Sequence, residues 1–277
     1  MGLLYALYVA RLTMTTHDIF DEIEITRYTA SDGFQRVEDP IVRESSIRVF
    51  LNDIEVVVLS ALKHDLKELA IGFLYTEVFI DDIDAIKSVD VKKGLDAVSV
   101  VTDGHAASIP VSNIRSVTSS CGRSVSFINP LQTGHFPEVK SSSILSAQWI
   151  LKAMDDLTRS SQLFKTTGGV HTAALCDGNK IVYIADDIGR HNCVDKVIGW
   201  EILNKVVDPD RRVILSSGRV CVAIVSKAIR GHVPFVISHS APTVGAVQLA
   251  RQFGITLAGF VRGNRFNIYS HEERILP

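Results

Sequence analysis

The strongest constraint on the fold is a regular alternation over residues 171–262, where short apolar runs suited to strands take turns with helical patterns. "VHTAALC" and "KIVYIA" flank the turn residues Asp177, Gly178 and Asn179. They are followed by helix "NCVDKVIGWEIL", strand "RVILSS", helix "VCVAIVSKAI", strand "VPFVISH", helix "TVGAVQLARQFG" and strand "ITLAGFV". Strands separated by crossover helices predict a largely parallel sheet covered on both faces. In such sheets ligands bind beyond the carboxyl ends of the strands, where loops lead into helix N-termini. Four loops fall there, at 186–192, 216–220, 238–243 and 259–265, and they bring Arg190, Arg219, Arg262 and Arg265 to one edge. Arginines beside helix starts predict an anion site for a phosphate or nucleotide. Neither G-x-G-x-x-G nor G-x-x-x-x-G-K-[ST] occurs, so the site is neither a standard dinucleotide fold nor a P-loop.

Composition narrows the function classes. The 277 residues are 46% hydrophobic, enough for a well-cored globular protein, and the formal net charge of -2 argues against broad attraction to nucleic acid or to an anionic membrane. Four separated cysteines, Cys121, Cys176, Cys193 and Cys221, form no C-x-x-C pair, which fits a reducing cytoplasm and indicates no structural zinc knot. The apolar start "MGLLYALYVA" meets Arg11 after about ten residues, short of the roughly 20 a spanning helix needs. We read residues 1–18 as an extension, with Met14 as an alternative start.

Residues 19–140 read as a small α+β unit. "SIRVFLNDIEVVVLSAL" is a hairpin turning at Asn52 and Asp53, and Leu66, Leu69, Ala70, Phe73 and Leu74 lie at helical spacing. "DAVSVVT" supplies a further strand. A helix from Ser143 through Leu157 then opens an α/β unit spanning 141–277.

Individual residues leave alternatives open. His171 and His191 suit either a pocket wall or a satisfied structural histidine. Asp187 is expected to pair with an arginine, and Asp195 to cap or bond within its helix start. Cys176, Cys193 and Cys221 fall in apolar-patterned elements and read as core. Cys121, in "TSSCGRS", sits among serines beside Gly122 with Arg123 two residues on, so its thiol is accessible and its thiolate favoured. Position alone leaves it either functional or incidental.

Several long blocks carry a resemblance: "LAIGFLYTEVFI", "TTGGVHTAAL", "DDIGRHNCVDKVIGW", "ILSSGRVCVAIVSKA" and "SHSAPTVGAVQLARQFGITLAGFVRGNRFNIYSHEERI". In order and spacing they resemble the FdhD family of formate dehydrogenase accessory proteins, from about residue 40 onward. The resemblance implies a cytoplasmic homodimer whose larger domain is a three-layer α/β/α, cytidine-deaminase-like fold with a smaller N-terminal α+β domain. It implies a sulfurtransferase that accepts persulfide sulfur from a cysteine desulfurase. That sulfur then passes to the bis-molybdopterin guanine dinucleotide cofactor, with molybdenum or tungsten, before insertion into formate dehydrogenase. GDP would serve as a surrogate ligand. The deaminase signature H-x-E with P-C-x-x-C is missing, so the fold would carry neither zinc nor deamination.

Residue by residue, Cys121 falls on the first cysteine of the family's C-G-x-C, the one expected to bear the persulfide, and Ser124 stands at the second. The cofactor-contact segment corresponds to Phe260, Val261, Arg262, Gly263, Asn264 and Arg265, joined on the same edge by Arg190, His191, Arg219 and His171. Asn264 replaces a more usual glycine, and asparagine tolerates a left-handed backbone. A single thiolate suffices to move sulfur, whereas a two-cysteine relay within this loop is missing. The competing reading is a non-catalytic cofactor chaperone for dehydrogenase maturation. A cysteine hydrolase using Cys121 with His171 or His191 lacks an oxyanion-hole or nucleophile-elbow motif. In this chain the apolar helix ending near Trp200 is the expected dimer anchor.

Overall fold

The computed structural model describes residues 19–92, 94–103, the backbone of 116–117, and 136–277. It is a mixed α/β structure with several sheets. The N-terminal elements are β1 (Phe20–Thr29), β2 (Gly33–Val42), β3 (Ser45–Leu51), β4 (Ile54–Ala61), α1 (Leu66–Thr76), β5 (Ile86–Lys92), β6 (Ala97–Thr102) and β7 (Ser116–Val117). The β3 and β4 hairpin turns as read from sequence: Asn52 and Asp53 both take left-handed backbone, at φ 48 and 66°, which matches the twist of the flanking strands. These strands sit in a five-stranded sheet of order β5-β6-β3-β4-β7. Val49, Leu51, Val57 and Leu59 from the hairpin pack with Leu69, Phe73 and Leu74 of α1 in one buried cluster.

β1 and β2 form a separate antiparallel hairpin that the sequence reading did not recognise. Most of its residues are exposed on both faces, so no buried alternation marks it.

The second half contains β8 (Leu145–Ser146), α2 (Ala147–Ser160), α3 (Gln162–Thr167), β9 (His171–Cys176), β10 (Ile181–Asp187), α4 (Arg190–Asn204), β11 (Val213–Ser216), α5 (Val222–Arg230), β12 (Phe235–Ser238), α6 (Val244–Gln252), β13 (Thr256–Arg262), β14 (Arg265–Ser270) and β15 (Ile275–Leu276). Six strands make the central sheet, in the order β10-β9-β11-β12-β13-β14. The expectation of a largely parallel sheet holds for β10, β11, β12 and β13, which point the same way, and is corrected for β9 and β14, which run against them. Among hydrogen-bonded neighbours β11 with β12 and β12 with β13 are parallel, while β10 with β9, β9 with β11 and β13 with β14 are antiparallel. The cause is local: Gly178 at φ 81° and Gly263 at φ 57° close tight hairpins where no crossover helix fits.

Alternation along the strands still divides the core in two. Ala173, Leu175, Ile214, Val236 and Leu257 face Val194, Val197 and Ile198 of α4, Ile224 and Ile229 of α5 and Leu249 of α6. Ala174, Val213, Leu215, Phe235, Ile237 and Ala258 face Ile150, Met154 and Leu157 of α2. Helices therefore cover both faces, as read.

Helix α4 is buried nearly all round, because α1 crosses its outer side. A Cβ on Gly72 would overlap the backbone carbonyl of Asp195, and one on Gly199 would overlap that of Glu68. Only glycine permits this approach. Trp200 stacks on Tyr183 at 4.8 Å with an interplanar angle of 8°. The helix chosen from sequence as a dimer anchor thus buries most of its apolar residues within its own chain, leaving Leu203 exposed and Trp200 half-buried. Among the described residues, no helix is long and apolar enough to cross a membrane.

Candidate functional site

The carboxyl ends of β10, β11, β12 and β13 share one edge of the central sheet, together with the first residues of β9 and β14. The end of β10 shows how the edge is built. Asp187 is fully buried and pairs with Lys196 Nζ at 2.6 Å, rather than with an arginine as expected. Its Oδ1 also accepts from the Gly189 N–H at 3.0 Å and from Asn192 Nδ2 at 2.8 Å, fixing the turn into α4. Burial opposes the charge on Lys196, but Asp187 and Asp65 outweigh it and hold the amine protonated. Asp186 accepts from Ser161 Oγ at 2.8 Å and Thr172 Oγ1 at 2.6 Å, tying α3 to β9. Both carboxylates are consumed by structure and are not free for acid-base work. Asp195 does not cap α4 either: it pairs with Lys227 at 2.9 Å and accepts from Thr76 at 2.8 Å.

Two clefts open on this edge. One, of about 490 Å³, is lined by Arg262, Gly263 and Val261 of the last hairpin, by His239, and by Lys152 and Thr158 of α2. The other, of about 470 Å³, is lined by His171, Ser217, Gly168, Gly169 and Phe164. His239, Met154 and Thr158 line both, so the two clefts adjoin. Arg262 Nε donates to the His239 carbonyl at 3.0 Å, and its guanidinium lies 5.7 Å from the Phe260 ring centre. His171 Nδ1 is 3.4 Å from Ser217 Oγ, which also accepts the Thr172 N–H at 3.0 Å.

The candidate residues read from sequence distribute as follows. His171, Val261, Arg262 and Gly263 line the clefts. Arg190 begins α4 with its side-chain stem laid over Gly218, where a Cβ would stand 2.8 Å from the Arg190 Cβ. Arg219, Asn264 and Arg265 are exposed on the same edge but line neither cleft. Phe260 takes φ 54°, and its N–H bonds the Ser240 carbonyl at 3.1 Å. The left-handed residues of this segment are therefore Phe260 and Gly263. The tolerance argued for Asn264 is not called upon. Cys121 lies outside the described residues, as do Arg123 and Ser124.

Sequence reasoning missed two residues. His239 stands at the junction of the clefts, and its signal was available in the loop "SHSAPT", read only as a loop. Cys221, read as core, does pack against the helix-side cluster, but it is half-buried at the N-cap of α5, with Sγ 3.2 Å from His191 Nε2. The apolar run that follows it hid its position at the helix start. Cys176 and Cys193 are buried as read, and burial pushes both thiols well above their usual range.

The imidazoles on this edge are neutral at pH 7. Burial lowers His191 to about 3, aided by Lys227, Arg190 and His171. Burial, then Arg190, lowers His171, and burial, then Arg262, lowers His239. Positive charge at the clefts therefore belongs to the arginines and lysines. Among the described residues, no three His, Cys, Asp or Glu side chains gather to hold a metal ion.

Comparison with known proteins agrees with the residue blocks. The chain is 37% identical over 243 residues to the sulfur carrier protein FdhD of Bacillus pumilus, covering 86% of this chain and 90% of that one. It is 36% identical over 250 residues to the sulfur carrier protein FdhD of Sulfurisphaera tokodaii, covering 87% and 94%. A crystal structure from Desulfotalea psychrophila, described as a formate dehydrogenase accessory protein, superposes with a TM-score of 0.77 at 24% identity. It covers 93% of this chain and all of that one, and so supports the mixed α/β fold. The FdhD/NarQ family model matches residues 42–276, and with relatives of this identity over most of its length the chain belongs to the FdhD/NarQ family.

Proposed function

We propose that this protein is a persulfide-carrying sulfurtransferase for formate dehydrogenase. It would take sulfur from a cysteine desulfurase on Cys121 and deliver it to a bis-molybdopterin guanine dinucleotide, of molybdenum or tungsten, held at the carboxyl edge of the central sheet. The observation that carries the reading is the pair of adjoining clefts where Arg262, His239 and His171 meet. Together they have the span for a nucleotide and its phosphates, and Arg262 supplies a fixed, permanently charged donor. The cofactor is the substrate here. This chain's part is to bind its nucleotide end and to present sulfur. In the first step the Cys121 thiolate attacks the outer sulfur of the desulfurase persulfide. One S–S bond forms as another breaks, and the desulfurase leaves as a thiolate.

The finer architecture belongs to the same reading. The six-stranded unit is cytidine-deaminase-like, with helix starts at the ligand edge. The chain divides into an extension at 1–18, a small α+β domain at 19–140 and the α/β domain at 141–277. Supporting this are the separate five-stranded and six-stranded sheets with their own buried clusters. A cytoplasmic homodimer completes it.

The test is intact-protein mass spectrometry after incubation with a cysteine desulfurase and cysteine, paired with activation of formate dehydrogenase in a strain lacking its own carrier. The expected result is one sulfur gained on Cys121 and lost in Cys121→Ser, with dehydrogenase activity falling to background. If Cys121→Ser still activates the dehydrogenase, the protein is instead a cofactor chaperone that moves no sulfur.

A further inference from the structure

Cys221 carries chemistry that transfer through Cys121 leaves unused. The other described cysteines are closed off: Cys176 is fully buried, and Cys193 donates its thiol to the His171 carbonyl at 3.2 Å. Cys221 differs in position, exposure and partner. It is the N-cap of α5, yet its side chain makes no capping bond, so sulfur does not perform the duty a serine or threonine would have there. Its backbone carbonyl instead accepts the N–H groups of Ile224 and Val225, fixing the residue at the helix start. Sγ lies 3.2 Å from Nε2 of His191, which is the second residue of α4. Two helices that follow neighbouring parts of the sheet thus deliver a thiol and an imidazole to one point on the ligand edge. A nucleophile within hydrogen-bond reach of a ring nitrogen is the arrangement that activates cysteine in transferases.

We propose that Cys221 and His191 form a second sulfur-accepting site, which takes sulfane sulfur from a persulfide and holds it on the sheet edge that carries the two clefts, though neither residue lines them. The proposal rests on the sulfur-carrying function above and deepens it. Ser124 removes a relay within the loop of Cys121, and Cys221 supplies the second thiol from a different element. The Cys221 sulfur attacks the outer sulfur of a donor R–S–SH. The new S–S bond forms as the donor's S–S bond breaks, so a persulfide on Cys221 and R–SH result with no net oxidation. The thiol proton leaves along the contact to His191 Nε2 as the S–S bond forms and ends on the leaving sulfur, which departs as R–SH. Nε2 is suited to this as a neutral imidazole: it accepts the S–H before transfer, and once the proton has reached the leaving sulfur as R–SH the ring is neutral again. Burial first, and then Lys227 and Arg190, keep the ring neutral, so Nε2 stands as an acceptor that orients the thiol and stores no proton of its own. The N-terminus of α5 favours the anionic persulfide once formed.

The experiment uses the full chain with Cys121→Ser, incubated with glutathione persulfide, alkylated and mapped by peptide mass spectrometry. One added sulfur is expected on the Cys221 peptide and none on those of Cys176 and Cys193. Adding Cys221→Ala should abolish the gain. Adding His191→Gln should slow it at least tenfold while urea midpoints show the protein still folded. An unmodified Cys221 in the folded Cys121→Ser protein, or an unchanged rate with His191→Gln, overturns the proposal. If the wild type then gains sulfur on Cys121 alone, the carrier function stands without this site. If neither thiol gains sulfur, both readings fall.

Discussion

Arg262 shows how a single side chain is prepared for binding before any ligand arrives. Its Nε is committed to the His239 carbonyl, and its plane lies near the Phe260 ring, so little rotamer freedom remains to be lost on binding. Phe260 holds a left-handed backbone that costs about 1–2 kcal/mol, and its N–H bond to Ser240 is one of the contacts that maintain it. Such conformations persist where the surroundings demand them. If this hairpin grips phosphate, Arg262→Ala should weaken GDP binding about tenfold or more, in line with the ~1.5–3 kcal/mol of a charge-assisted contact. Arg262→Lys should recover only part of the loss, since a point charge lacks the planar fork. Arg36→Ala, an exposed arginine paired with Glu24 on the β2 hairpin, is the control. Calorimetry giving the same affinity for Arg262→Ala and Arg36→Ala would remove the phosphate role. Arg262 was legible in the sequence because glycine, arginine and a strand end come together there. Cys221 was not, because a pattern of apolar residues cannot distinguish the N-cap of a helix from its first buried turn.

At the scale of elements, the joint between α1 and α4 decides whether the two sheets form one body. The backbones meet at Gly72 and Gly199, and an added Cβ at Gly199 would overlap the Glu68 carbonyl and stand 2.7 Å from the Gly72 nitrogen. Neither obstacle is a flexible side-chain tip, so the helices must separate. Gly199→Ala should therefore destabilise the protein by about 3 kcal/mol, at or above the upper end for overpacking. Gly33→Ala, at φ 67° with open space around it, should cost only the ~1–2 kcal/mol of a left-handed alanine. Urea midpoints that place Gly199→Ala at or above Gly33→Ala would contradict this account of the joint. The elements themselves were largely readable. Asn52 with Asp53, and Asp177 with Gly178, announce their hairpins through turn chemistry, and α1 shows its buried stripe. Strand β14 was missed because "RFNIYS" is an edge with three of its six residues exposed and two half-buried, and its antiparallel return is set by Gly263 rather than by any apolar pattern. The close approach of α1 to α4 was invisible for a related reason: a glycine's role depends on what crosses it.

Across the whole molecule, buried charge links the N-terminal elements to the central sheet. Lys227 of α5 reaches Glu77, just beyond α1, at 2.8 Å and Asp195 of α4 at 2.9 Å. It also donates to Thr76 at 2.9 Å, and all these side chains are buried. Arg230 extends the link by donating to the Tyr75 and Ile80 carbonyls. Burial raises Asp195 to about 6 even though Lys227, its principal cation, pulls the other way. A carboxyl held above its unfolded value binds its proton more tightly in the folded state. It therefore subtracts stability as pH rises from about 4 toward 6, and the full penalty applies above that. Removing Lys227 should deepen that penalty, because two carboxylates would remain buried without their cation. Lys227→Met is expected to cost about 3–5 kcal/mol at pH 8 and distinctly less at pH 5, where the carboxyls can take up protons. Combining it with Glu77→Gln and Asp195→Asn should restore part of the loss, since no uncompensated charge is left. The unfolding transition should remain single by both near- and far-ultraviolet circular dichroism, because α1 and α4 stay packed through Gly72 and Gly199. Two separate transitions in wild type, or a Lys227→Met deficit as large at pH 5 as at pH 8, would show that the buried network does not couple the halves in this way.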